Sequence, residues 1–135
     1  MVRKKVGTKK LAALSPAETE ILRLVWEERR ATVKNVCESL PKGRKIAYAT
    51  VQTLLRRLEK KGYVKHEVEG KAHVFLPAIS QDKVISRAVG TFLDKLFAGD
   101  AIPLVQYLAE HGKITADDIE ELHQLVGRDN SKGNG

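Results

Sequence analysis

The chain has 135 residues, one cysteine and a formal net charge of +7. A single thiol excludes an internal disulfide framework, and no apolar run reaches the ~18 residues of a membrane span. The basic N-terminus is not followed by an apolar segment, so no secretory signal is expected and the expected location is cytoplasmic.

Residues 1–13 carry Arg3, Lys4, Lys5, Lys9 and Lys10 and few core-forming side chains. They read as a flexible basic arm, suited to phosphates or a minor groove, or as a solubilising tail. At Ser15-Pro16-Ala17-Glu18 a helix begins. Ser15 can cap it, Pro16 suits the first helical position and Glu18 completes a capping box. Helix 1 is predicted over residues 16–28, with Ala17, Ile21, Leu24 and Val25 as its apolar stripe and Leu22 and Trp26 widening it. Ala31-Thr32-Val33 is a short β-like connection, and Thr32 can cap helix 2. Val33, Val36, Cys37 and Leu40 repeat at i, i+3, i+4 and i+7, and Pro41 and Gly43 end that helix near Leu40. Cys37 occupies an apolar slot and is expected to be a buried thiol.

Residues 46–62, IAYATVQTLLRRLEKKG, form the third predicted helix. Val51, Leu54, Leu55 and Leu58 mark its inward face at i, i+3, i+4 and i+7. The opposite face carries Ala49, Gln52, Thr53, Arg56 and Lys60. Amide, hydroxyl, methyl and guanidinium groups are the types that read base edges in a major groove. Gln52 suits adenine, Arg56 guanine, and Ala49 or Thr53 a thymine methyl. Thr50, at the side of the helix, suits a phosphate. Arg57, Lys60 and Lys61 would follow the backbone, as would Lys42, Arg44 and Lys45 of the preceding loop. Gly62 ends the helix, where a left-handed cap needs no Cβ. Two β-type runs, 63–68 and 72–76, follow around Glu69-Gly70-Lys71, and Pro77 closes the hairpin. Lys65, Lys71 and His73 of this wing can reach phosphate or a minor groove, while Glu67 and Glu69 oppose that approach. A merely solvated hairpin is the alternative.

Ser80 can cap a helix holding Val84, Ile85, Ala88, Val89, Phe92, Leu93, Leu96 and Phe97. These span too broad an arc for one small neighbour to cover. Gly99 and Pro103 break the chain before Leu104, Val105, Tyr107 and Leu108. Thr115 and Asp118 form a second capping-box-like start ahead of Ile119, Leu122, Leu125 and Val126. Residues 127–135 read as a disordered tail. The apolar excess of these three helices asks for a symmetric partner. The expected dimer interface is the eight apolar residues from Val84 to Phe97 with Leu104, Leu108, Ile119, Leu122 and Leu125. Folding back onto the first domain is the alternative.

Charge divides the chain at the end of the hairpin. Residues 1–75 hold 18 Lys+Arg against 8 Asp+Glu, net +10, and residues 76–135 hold 6 against 9, net −3. The basic half therefore suits a polyanion. His66 and His73 face one another across the hairpin in one of its registers, but two imidazoles without a further ligand cluster make only a weak metal site. No metal and no cofactor are expected. His111 and His123 are isolated and read as surface residues. No Gly-rich phosphate loop, HExxH or nucleophile elbow occurs, so an enzyme is not expected.

The expected fold is mainly α with a small β-hairpin wing. A winged helix-turn-helix spans 14–77 and a helical dimerisation region spans 78–126. Its element order resembles the penicillinase-repressor family of winged-helix transcriptional regulators (BlaI/MecI/CopY type). The strings that carry the resemblance are LSPAETEIL with Trp26, YATVQTLLRRLEKKGYV at 48–64 and the wing at 65–76. VISRAVGTFLDKLFAGD at 84–100 and ITADDIEELHQLV at 114–126 match more weakly. The resemblance implies a homodimer that binds a palindromic operator in double-stranded DNA and blocks transcription, with the C-terminal helices as interface. It also implies, in β-lactam-responsive members, a sensor-protease pathway that cleaves the dimerisation region, often at an Asn-Phe bond. The comparable stretch here, Leu104-Val105-Gln106-Tyr107-Leu108, has no such pair. The cysteine pairs of copper-responsive members are absent as well. A basic module docking an acidic protein and a nonspecific architectural DNA binder are the competing readings.

Overall fold

The computed structural model describes the backbone of residues 11–134 and the side chains of residues 11–127. Residues 1–10 of the expected arm lie outside the described residues.

Helix α1 (Pro16–Glu28) begins as its sequence dictates. The Ser15 Oγ accepts from the Glu18 N–H at 3.1 Å, and the Ser15 N–H donates to Glu18 Oε1 at 2.9 Å. Helix α2 (Val33–Ser39) starts the same way, Thr32 and Asn35 exchanging bonds of 2.9 and 3.1 Å. Helix α3 (Tyr48–Lys60) opens at Ala47 without a side-chain cap. Its far end closes through Gly62 at φ 90°, with Tyr63 N–H donating to the Leu58 carbonyl and Gly62 N–H to that of Glu59. That closure needs a left-handed residue, which glycine supplies without strain.

Strands β1 (Val64–Glu69) and β2 (Ala72–Pro77) pair antiparallel, and Glu69 opposite Ala72 leaves the two-residue turn Gly70-Lys71. Pro77, expected to close the hairpin, is the last residue of β2 and lies opposite Val64. Ala31 adds a third rung, its N–H and carbonyl exchanging bonds of 3.0 and 2.8 Å with Phe75. In this register His66 stands opposite Phe75 and Val68 opposite His73. The two histidines are thus diagonal neighbours on one face, their rings stacked at 4.5 Å.

The three helices and the hairpin close around one core. Ile21, Leu22 and Val25 of α1, Val36 of α2 and Val51, Leu55 and Leu58 of α3 are all fully buried, with Val64 and Phe75 beneath the sheet. Each such side chain stabilises the fold by ~1.5–3 kcal/mol. Cys37 is half-buried at the edge of this core instead of enclosed by it. Burial pushes its thiol up, and Glu38 adds to the shift.

Glu18 is a charged residue inside this unit, only 2% exposed. Lys61 Nζ reaches its Oε1 at 2.6 Å and also donates to the Ala13 carbonyl at 2.8 Å. The Tyr63 hydroxyl donates to the Ala12 carbonyl, and Leu11 rests on the core. Residues 11–13, read from the sequence as part of a flexible arm, are therefore held by Lys61 and Tyr63 of the link between α3 and β1. The Lys61 ammonium, then the Ser15 N–H, hold the Glu18 carboxyl below the usual carboxylate range against the opposing effect of burial. The sign follows from linkage: the unfolded chain takes up the proton first as pH falls. Stability from this pair is complete above the ordinary carboxylate value and is lost as pH drops through the lowered folded one. Glu18→Gln is expected to cost about 1–3 kcal/mol near neutral pH and to flatten the acid limb of stability, as read from urea midpoints between neutral pH and pH ~3.

The chain divides into two compact units between Ile85 and Ser86, inside α4 (Gln81–Phe97). The boundary expected after residue 77 moves because Trp26 Nε1 donates to the Ile79 carbonyl at 3.1 Å and Ile79 and Val84 rest on the winged-helix core. Val84, assigned from the sequence to a dimer face, is thereby partly covered by its own domain.

The second unit holds the rest of α4, α5 (Ala101–Glu110) and α6 (Ala116–Asn134). Pro103 does not break the chain. It sits in the first turn of α5, where its missing N–H would have no helical acceptor, and Asp100 caps that turn at 3.0 Å. Thr115 and Asp118 exchange the expected capping bonds at 2.9 and 3.1 Å. Helix α6 runs past Val126 to Asn134, which corrects the tail expected to be disordered from residue 127. Gly127 weakens a helix interior by only ~1 kcal/mol, and no proline follows to stop the ladder.

Ile85, Val89, Phe92 and Leu96 are exposed at i, i+4, i+7 and i+11, one stripe of α4, and Ile119, Leu122 and Val126 form a stripe of α6. Ala88 and Leu125 are exposed too, while Leu93, Phe97, Leu104 and Leu108 are half-buried. Among the described side chains from 81 to 127, none is buried. No helix of the described residues is long and apolar enough to cross a membrane.

Candidate nucleic-acid interface

Burying Val51, Leu54, Leu55 and Leu58 turns the polar face of α3 outward. Ala49, Thr50, Thr53, Arg56, Arg57 and Lys60 are exposed, and Gln52 is half-buried. The Thr53 hydroxyl donates to the Ala49 carbonyl at 3.0 Å, so its oxygen remains an acceptor.

The hairpin approaches this face from the side. Gln52 and Arg56 of α3 meet Lys71 and His73 of the wing around an open recess of about 530 Å³. Tyr48, Thr32 and Lys34 complete its polar rim, and Phe75 and Val33 are part of its apolar lining. Three cations line the recess and no aspartate or glutamate does, among the described residues. An acid-free concavity of amide, guanidinium and ammonium groups suits a phosphate-flanked base edge.

Three acids on or near the wing have side-chain partners. Arg30, between α1 and α2, pairs with Glu67 at 3.1 Å and with Glu69. The Glu59 carboxylate of α3 accepts from His66 Nδ1 at 2.7 Å.

The remaining sequence-predicted residues distribute around the recess and not in it. Lys42, Lys45, Ala49, Thr50, Thr53, Arg57 and Lys60 are exposed outside its lining. Arg44 is engaged: its Nε and Nη2 fork onto Glu20 at 3.0 and 2.9 Å. That fork holds the Glu20 carboxyl below its ordinary range and raises the guanidinium further. Arg44 thus pins the loop before α3 to α1.

Tyr48, Thr32 and Lys34 were missed by sequence reasoning. Tyr48 had a signal, because it precedes Gln52 by four residues and Arg56 by eight on the same helical face. Lys34 had none, since only the tertiary fold brings the start of α2 beside the wing.

The Penicillinase repressor family profile matches residues 14–128. The chain belongs to that family. A penicillinase repressor from Bacillus licheniformis is 30% identical over 118 residues, covering 87% of this chain and 92% of that one. Methicillin resistance regulatory protein MecI from Mammaliicoccus sciuri is 25% identical over 115 residues, covering 85% and 94%. The solved structure of H. salinarum RosR, 16% identical, has a TM-score of 0.53 and covers 91% of this chain and 99% of that one, a likeness of fold alone. The matched residues include the recess, α4, α5 and α6 as far as residue 128.

Proposed function

We propose that this chain is a sequence-specific DNA-binding transcriptional repressor that acts as a homodimer on a palindromic operator. The observation that carries the reading is the acid-free recess where Gln52 and Arg56 of α3 meet Lys71 and His73 of the wing. In this reading α3 enters the major groove, Gln52 and Arg56 address base edges, and Lys71 and His73 lie against the flanking phosphates. Lys42, Lys45, Thr50, Arg57 and Lys60 extend the phosphate contacts on either side. Relatives named as a penicillinase repressor and as a methicillin resistance regulatory protein support repression as the consequence. Two copies joined through the tail stripes present two reading heads, which is what a palindrome requires.

The test is selection of bound fragments from the source genome, followed by salt-titrated binding to the enriched sequence. A recurring palindrome is expected, bound far more tightly than random DNA. Binding without enrichment points to an architectural protein, and no DNA binding at low salt overturns the proposal. On the selected operator, Arg56→Ala is expected to weaken binding by ~1–3 kcal/mol and to relax preference at one base pair. An equal loss on random DNA identifies Arg56 as a phosphate contact only.

A further inference from the structure

The wing carries its cations and its acids within a few residues of each other. Lys71 and His73 line the recess, while Glu67 and Glu69 stand on the same hairpin, Glu69 directly before the turn. The two glutamates lie on the hairpin face opposite His73, but Glu69 is only two residues from Lys71 at the turn, so a polyanion held there lies in the field of these carboxylates. Charges this near one another interact well inside the Debye length, about 8 Å at physiological salt and longer in dilute buffer.

The structure places one cation against both acids. Arg30 Nη1 lies 3.1 Å from Glu67 Oε1, and Nη2 pairs with Glu69 Oε2. The chain around Arg30 explains how it gets there. Ala31 is paired with Phe75 of β2, and β1 lies beyond β2 in the sheet. The Arg30 side chain therefore spans β2 to reach two alternate residues of the far strand. A guanidinium can hold two carboxylates with separate nitrogens, where an ammonium offers only a point charge. Both partners are about half exposed, so the contact adds little to folding stability. Its effect lies in the electrostatics of the wing.

We infer that Arg30 is a charge-compensating residue for nucleic-acid binding: it offsets part of the negative charge of Glu67 and Glu69, which would otherwise oppose phosphate at Lys71 and His73. This inference rests on the DNA-binding reading above. Arg30 acts through the wing and not by touching DNA, because its fork is already committed to the two acids.

The experiment is a mutant cycle in the full chain on the selected operator, with thermal unfolding as a control of folding. Arg30→Ala is expected to weaken binding by about five- to tenfold near 50 mM salt, the scale of uncovering carboxylates beside a polyanion. The slope of affinity against salt should stay nearly unchanged, since no phosphate contact is lost. Glu67→Gln with Glu69→Gln should strengthen binding in the parent chain. The same pair added to Arg30→Ala should restore at least parental affinity. The gain from the pair should be larger in the Arg30→Ala chain than in the parent, a coupling not available to a residue that merely supports the fold or contacts phosphate. The inference is overturned by an Arg30→Ala chain that binds as the parent does. It is overturned equally by a loss that Glu67→Gln and Glu69→Gln fail to rescue, or by a salt slope that falls by about one ion. A parent chain that binds no DNA overturns the functional reading itself and this inference with it, and is distinguished by the parent's own titration.

Discussion

Leu55→Ala is expected to lower the unfolding free energy by about 2–5 kcal/mol, the range for truncating an enclosed leucine. Leu55 is fully buried on the inward stripe of α3, which contacts both α1 and α2. A cavity there has helices on two sides, and neither can collapse far without disturbing Ile21 or Val36 of the same core. Domains of this size have only ~5–15 kcal/mol in total, so the loss is a large share of what holds the interface in place. Urea unfolding measures it. Gln52→Ala, one turn earlier on the outer face, should stay within about 0.5 kcal/mol while weakening operator binding. A Leu55→Ala loss below ~1 kcal/mol would show that α3 is not seated as described. The contrast separates the two faces of one helix, one supporting the fold and the other the recess.

That two-faced character is what a sequence shows best. The α3 stripe at i, i+3, i+4 and i+7 reports local geometry, and all four of its residues are buried. Capping residues are equally local: Ser15 with Glu18, and Thr115 with Asp118, form the bonds their spacing implies. The hairpin turn at Gly70-Lys71 sets the register, and hence which side chains share a face.

What stayed illegible was contact between distant charges. Arg30 with Glu67, Arg44 with Glu20 and Lys61 with Glu18 join residues far apart in the chain, and no periodicity encodes them. Sequence reading therefore weighed Glu67 and Glu69 without the Arg30 guanidinium that the fold sets against them. It also read Arg44 as a phosphate cation without its ion pair to Glu20 of α1. The candidate site was legible on α3 because α3 is one element. The recess was not, because Lys34, Tyr48 and the wing meet only after folding. Helix ends were the other weak point: α6 continues through Gly127 because a glycine alone does not end a helix.

Converting Leu96 and Leu122 together to glutamate is expected to yield a monomer at micromolar concentration and to weaken operator binding by about a hundredfold or more. Leu96 is 66% exposed on the α4 stripe and Leu122 is 41% exposed on the α6 stripe. Monomers seldom leave whole apolar helix stripes open to water, and no described side chain between 81 and 127 is buried. The proposed second copy would cover them, because a two-fold interface sets the same stripes against each other. Each substitution then enters the interface twice. It removes ~1.5–3 kcal/mol of apolar burial per leucine and adds the larger cost of desolvating an unpaired carboxylate. The DNA effect follows from linkage of two heads. In a dimer, the second half-site is bound at the millimolar effective concentration of a tethered partner, and a monomer forfeits that gain. Binding to an isolated half-site should be unaffected, because α3 and the wing belong to the other compact unit. Light scattering reads the mass, and titration of full and half operators reads the coupling. A parent chain that is monomeric at micromolar concentration, or a double variant that remains dimeric with full affinity, would remove these stripes as the source of pairing.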